Sequence, residues 1–201
     1  MGLDFGDVNL GEPWGTWYRL GLRHLFRPEP SQEAQETHVA SPSAADGEFP
    51  EPWSRILTGL HPPVPLVWTY WRLACDLGPN PDPLRRTLWA KILANCDWPQ
   101  GSVAFWPMSA MDNGRIVPAT SHFHNGLAVI RPSMVVCFGQ RAFEALYPGT
   151  AFDYGLYESI ANVPVLALPG AQDMLPDNRR AKALVWGWLQ SLSQRLPALN
   201  G

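Results

Sequence analysis

Residues 131–146, RPSMVVCFGQRAFEAL, join a short apolar run, one glycine and a helix-patterned segment. That order predicts a buried strand turning tightly into a helix. Met134–Phe138 is continuous apolar sequence rich in valine, as a parallel strand covered on both faces requires. Gly139 supplies a permissive backbone at the turn, and Ala142, Phe143, Ala145 and Leu146 give the next segment one apolar face. The unit restricts the chain to folds in which helices pack on a parallel sheet.

The neighbouring segments extend the pattern. Residues 64–73 read as an apolar strand, with Pro65 near its start, where a missing donor is tolerated. Residues 75–83 read as a loop, and Asp82-Pro83 caps and opens a helix through Leu84, Leu88, Trp89, Ile92 and Leu93. Residues 103–106 predict a second strand, followed by a polar loop around Asp112-Asn113-Gly114 and a helix over residues 122–130. A last strand over residues 163–168 closes at Pro169-Gly170, and a helix over residues 178–196 ends the domain. This alternation predicts a three-layer αβα sandwich around a central four-stranded parallel sheet. Strand C-terminal ends then share one edge, where such folds carry their sites, so four loops matter: residues 76–81, 107–115, 139–141 and 169–177.

Composition divides the chain of 201 residues in three. Residues 53–201 suit one α/β domain. Residues 28–52, rich in Pro, Ser, Ala, Glu and Gln, read as a flexible linker. Residues 1–27 form an amphipathic aromatic peptide in which Trp14, Trp17, Tyr18, Leu22 and Phe26 alternate with Arg19, Arg23 and Arg27. A helix of that size cannot bury its own apolar face, so it either folds back or docks on a protein partner, and a linker favours the partner.

A formal charge of −3 argues against coating DNA through bulk electrostatics, so any nucleic-acid contact is expected to be local. Ten tryptophans leave room for an aromatic contact surface. Three widely spaced cysteines, Cys75, Cys96 and Cys137, suit a reduced compartment rather than a disulfide framework. No apolar run approaches the roughly 18 residues of a membrane span, and the expectation is a cytoplasmic protein without membrane contact. His122 and His124, two apart on a helix, point to opposite sides and cannot jointly hold one ion. Neither a metal nor a cofactor is expected.

The order of elements over residues 64–196 resembles the uracil-DNA glycosylase superfamily. Pro107, Asn113, Arg115 and Pro118 echo that family's loop after the second strand, and Pro132 to Ala142 its Pro-x-hydrophobic strand, glycine and alanine. VLALPGAQDML then stands where the family has a strand ending in His-Pro-Ser, and Lys182, Val185, Trp186 and Leu189 match its closing helix. The departures fall on the chemistry. Excision of this kind uses a polar residue to place water, an aromatic to stack on the flipped base, an amide to read its edge and a histidine to stabilise the leaving anion. In place of Gly-Glu-x-Pro-Gly this chain has ACDLGPNPD, and in place of His-Pro-Ser it has Leu168-Pro169-Gly170. Leucine donates no hydrogen bond to an oxyanion. The four cluster cysteines of the iron–sulfur branch are absent as well. The segment ACDLGPNPDPLRRTLWAKIL also resembles the psi-subunit family of bacterial DNA polymerase III, which implies a terminal peptide docked on a clamp loader and a folded binding domain.

Each candidate residue carries two readings. Asp76 is a water-placing carboxylate or a turn residue, and the loss of its partners favours the turn. Asn113 reads a base edge or occupies an Asp-Asn-Gly turn, and the turn is favoured. Arg141, just past Gly139, contacts a phosphate or is a solvated arginine. The loop holding Gly170 and Met174 presents an apolar wedge to DNA or packs on the closing helix. Arg115 completes the nucleic-acid-binding set. The expected function is a catalytically degenerate glycosylase-like binding module in DNA replication or repair, tethered to a replication or repair protein through residues 14–26. One alternative is a divergent active glycosylase, with Asp76 placing water, Asn113 reading the base and residues 169–177 probing the duplex; another is a scaffold with no nucleic-acid role.

Overall fold

The structure is a computed structural model and describes residues 49–193. The aromatic peptide with Trp14, Trp17, Tyr18, Leu22 and Phe26 lies outside the described residues, as does nearly all of the linker. Chain order is α1 (Trp53–Thr58), β1 (Leu66–Tyr70), α2 (Leu73–Asp76), α3 (Pro83–Asn95), β2 (Val103–Phe105), β3 (Ser109–Asp112), β4 (Arg115–Pro118), α4 (Thr120–Ile130), β5 (Met134–Phe138), α5 (Gln140–Leu146), β6 (Gly155–Ile160), β7 (Val163–Leu168), α6 (Ala171–Met174) and α7 (Arg179–Ser193).

The main sheet runs β2-β1-β5-β7-β6. β1 pairs parallel with β2 and β5, and β5 parallel with β7, so the four expected strands lie side by side. A fifth strand, β6, adds to β7 antiparallel and corrects the expected count. Its hairpin turns on Ala161 and Asn162, both at positive φ, as the tight two-residue connection demands. The polar loop around Asp112-Asn113-Gly114 is a second hairpin, β3–β4, with Asn113 and Gly114 at positive φ. The turn reading of Asn113 is the one that the backbone adopts.

Burial on both faces explains the apolar strands. Along β1, Val67 points into a cluster with Trp53 of α1, Phe123, Leu127 and Ile130 of α4 and Phe143 of α5. Its neighbour Trp68 points the other way, with ring centroids 6.0 Å from Trp89 of α3 and 5.8 Å from Trp98, whose indole in turn bonds Ser193 at the end of α7. Alternation with period two thus feeds two cores, and the result is a three-layer arrangement. Phe49 extends the first core, its ring 5.6 Å from that of Trp106.

Two local features set the geometry. Asp82 accepts from the backbone N–H groups of Leu84 and Arg85 and so starts α3 with Pro83 in its first turn, as the sequence predicts. In α4, Gly126 lies against the Trp106 ring so closely that an added Cβ would fall 2.1 Å from it. No helix among the described residues is long and apolar enough to cross a membrane.

Candidate functional site

β2 lies on one side of β1 and β5 on the other, so the chain reverses its direction of sheet growth between β1 and β5. In open α/β sheets a crevice forms beyond the strand C-termini at such a point. Here the crevice is a cleft of about 420 Å³, lined by Trp71, Arg72, Gly114, Arg115, Ile116 and Arg141. Three elements bring these residues together. Trp71 and Arg72 follow β1 directly, Gly114 to Ile116 come from the β3–β4 hairpin, and Arg141 sits in α5 just after β5. The Ser109 hydroxyl donates to the Trp71 carbonyl at 2.6 Å and fastens the hairpin to the end of β1.

The cleft is positively charged. Arg72, Arg115 and Arg141 are exposed and form no ion pair among the described residues, and no carboxylate lines the cleft. The Arg141 guanidinium carbon lies 4.5 Å from the centroid of the Trp71 ring, a cation–π contact that holds one charge on the cleft wall. The indole N–H of Trp71 is buried and has no partner among the described residues.

Asp76 faces a different task. Arg85 grips it with two hydrogen bonds, Nε to Oδ2 and Nη2 to Oδ1, both 2.7 Å. The Tyr70 hydroxyl donates to Oδ2 at 2.9 Å and the Asp82 backbone N–H to Oδ1 at 3.2 Å. Each oxygen therefore accepts two bonds, which fills the four lone-pair sites of a carboxylate. Burial alone would push the carboxyl up, but the bonds from Arg85, Asp82 and Tyr70 outweigh it and hold Asp76 below the usual carboxylate range. Tyr70 moves the other way, raised by its own burial and then by the Asp76 charge. With all four acceptor sites taken, Asp76 joins the end of β1 to the start of α3.

The space beside the cleft is nearly filled. Beside the cleft, between the ends of β1 and β5, the remaining cavity measures about 20 Å³, room for a single water. Trp68 and Leu168 are fully buried in the packed interior. Gly139, at φ +90°, and Gly170 pack backbone to backbone, so that a Cβ on Gly170 would lie 3.0 Å from the Gly139 Cα. The Gly170 N–H donates to the Asp173 carboxylate at 2.7 Å. Met174 is fully buried, which corrects the expected wedge: the loop packs on the domain instead of presenting an apolar tip. Asn113 is exposed at the hairpin tip, where its amide donates to Asp112 at 3.0 Å, while Gly114, Arg115 and Ile116 reach the cleft.

Of the expected residues, then, the structure unites Arg115 and Arg141 in one cleft, keeps Gly139 and Gly170 as framework beside it, and separates Asp76, Asn113 and Met174 from it. A first strand running to residue 73 hides Trp71 and Arg72 within it. The strand ends instead at Tyr70, and a Trp-Arg pair directly after a buried strand was the available signal. His122 packs its ring against Trp53 at 4.8 Å, while His124 lies beside Phe123. Among the described residues no group of three metal-ligating side chains converges. The thiols are unpaired; burial pushes Cys96 up to about 11 and Cys137 higher still. No family model matches the chain, and neither does any curated protein.

Proposed function

We propose that the domain is a non-catalytic, glycosylase-like binding module that engages nucleic acid in DNA replication or repair. The observation that carries this reading is the convergence of Arg72, Arg115 and Arg141 on one cleft with no acid among its lining residues. Guanidinium groups left unpaired at a concave surface favour phosphate, because they offer several donors in a fixed plane and stay charged at all working pH values. With a net charge of −3 the chain as a whole offers phosphate no attraction, so a local group of arginines must supply it. Two further facts support binding over excision: the four acceptor sites of Asp76 are all occupied, and a 20 Å³ cavity cannot admit a base. In this reading residues 14–26 tether the domain to a replication or repair protein, in the manner of the psi-subunit family.

Fluorescence anisotropy of a labelled oligonucleotide, titrated with the full chain, tests the proposal. Saturable binding by the natural chain, lost on replacing Arg72, Arg115 and Arg141 together by alanine, is the expected result. Equal affinity in the two proteins would refute it. All three side chains are exposed, so the variant should keep its fold, which circular dichroism checks.

A further inference from the structure

Resting on the reading that the arginine cleft holds nucleic acid, we infer that it selects single strands over duplexes, with Trp71 and Arg141 as the specificity-determining residues. The cleft offers two kinds of recognition surface. Arg72 and Arg115 provide charge at its rim, which any phosphodiester backbone can use. Trp71 and Arg141 provide something else: the guanidinium lies over the indole ring, 4.5 Å from its centroid, while the indole also packs against the core, so Trp71 holds Arg141 as a planar group on the cleft wall. An unpaired base stacks on an aromatic ring or on a guanidinium plane, whereas a duplex keeps its base faces buried in its own stack and presents only edges and phosphates.

Shape points the same way. The three arginines converge on one cleft from three separate elements, rather than lying in a row along a helix that could follow a duplex groove. At about 420 Å³ the cleft has the size of a small-molecule site, which suits one nucleotide unit folded into a concavity. The adjoining 20 Å³ cavity stops the base at the wall, so it stacks there instead of entering the domain. The acidic remainder of the chain disfavours the dense charge of a duplex more than that of a single strand.

The test compares a fluorescein-labelled oligothymidylate with a blunt duplex of equal length, both titrated with the full chain at one salt concentration. The single strand should bind about ten-fold tighter, and Trp71→Leu should remove most of that preference while Trp71→Phe keeps it. An unchanged circular dichroism spectrum and urea midpoint for Trp71→Leu separate a lost stacking platform from a misfolded domain. Equal or tighter duplex binding overturns single-strand selection but leaves the cleft as a nucleic-acid site. A single-strand preference that survives Trp71→Leu overturns the assignment to Trp71, and absence of binding to either probe overturns both this inference and the reading beneath it.

Discussion

Arg85 clamps Asp76 in a bidentate ion pair, with Nε and Nη2 each 2.7 Å from one carboxylate oxygen. The two side chains are only 16% and 7% exposed, so the pair sits largely out of water. Arg85 also reaches Asp82 at 3.0 Å, and Asp82 caps the helix that carries Arg85. One arginine thus ties the segment after β1 to the start of α3. The carboxylate serves to fix a loop.

Removing one partner of a buried pair strands the other. Arg85→Met should destabilise the domain by roughly 3 kcal/mol, because Asp76 keeps its burial and loses its counter-charge. The folded carboxyl lies below its unfolded value, so the stabilisation is present above an ordinary pKa of about 3.9 and is lost as the pH falls through the folded value. Urea denaturation of both proteins should therefore show a wide gap near neutral pH that narrows in acid. A gap independent of pH would contradict the role given to the pair.

An occupied carboxylate activates no water. A uracil-release assay on single- and double-stranded oligonucleotides should detect no product from the natural chain, and Asp76→Asn should change nothing in it. Release of uracil that Asp76→Asn abolishes would restore the glycosylase alternative.

Gly126→Ala runs against helix propensity. Alanine is favoured over glycine inside a helix by about 1 kcal/mol, yet the new methyl would fall 2.1 Å from the Trp106 ring. The Trp106 indole donates to the Phe123 carbonyl of the same helix at 3.2 Å, which limits its retreat. Overpacking should dominate and produce a net loss of roughly 1–3 kcal/mol, read as a lower melting temperature. A variant as stable as the natural chain would show that the ring moves freely.

Gly139→Ala should cost a similar amount for a different reason. The backbone there has φ +90° and ψ 148°, a region that side chains rarely enter, and a Cβ would lie 3.3 Å from both the Gly170 Cα and the Gln172 amide nitrogen. A loss of about 1–3 kcal/mol in equilibrium unfolding is expected. An unchanged midpoint would mean that the β5–α5 turn relaxes without penalty.

How legible these features were depended on how local their causes are. The strand, glycine and helix at Met134–Phe138, Gly139 and Gln140–Leu146 stood out because burial on both faces and a positive φ leave marks within a few residues. The Asp82-Pro83 start of α3 did so for the same reason. β6 was missed because GLYESI shows no clean alternation and its turn uses Ala161-Asn162 in place of an Asn-Gly pair. β3 and β4, four residues each, flank an Asn-Gly turn but are too short to carry a period. The site was harder still. Arg72, Arg115 and Arg141 are separated by tens of residues, and only the order β2-β1-β5 brings them to one cleft. The sequence leaves Asp76 with a water-placing reading beside the favoured turn reading because its partner Arg85 lies nine positions away, across a turn.

The dependence of affinity on salt probes the cleft most directly. Each phosphate neutralised on a single strand contributes about 0.7 to the slope of log K against log salt concentration. Oligothymidylate binding should follow a straight line for the natural chain, and replacing Arg72, Arg115 and Arg141 together by glutamine should lower the slope by about two as the affinity falls. An unchanged slope and affinity in that variant would show that phosphate is not held at the arginine cleft.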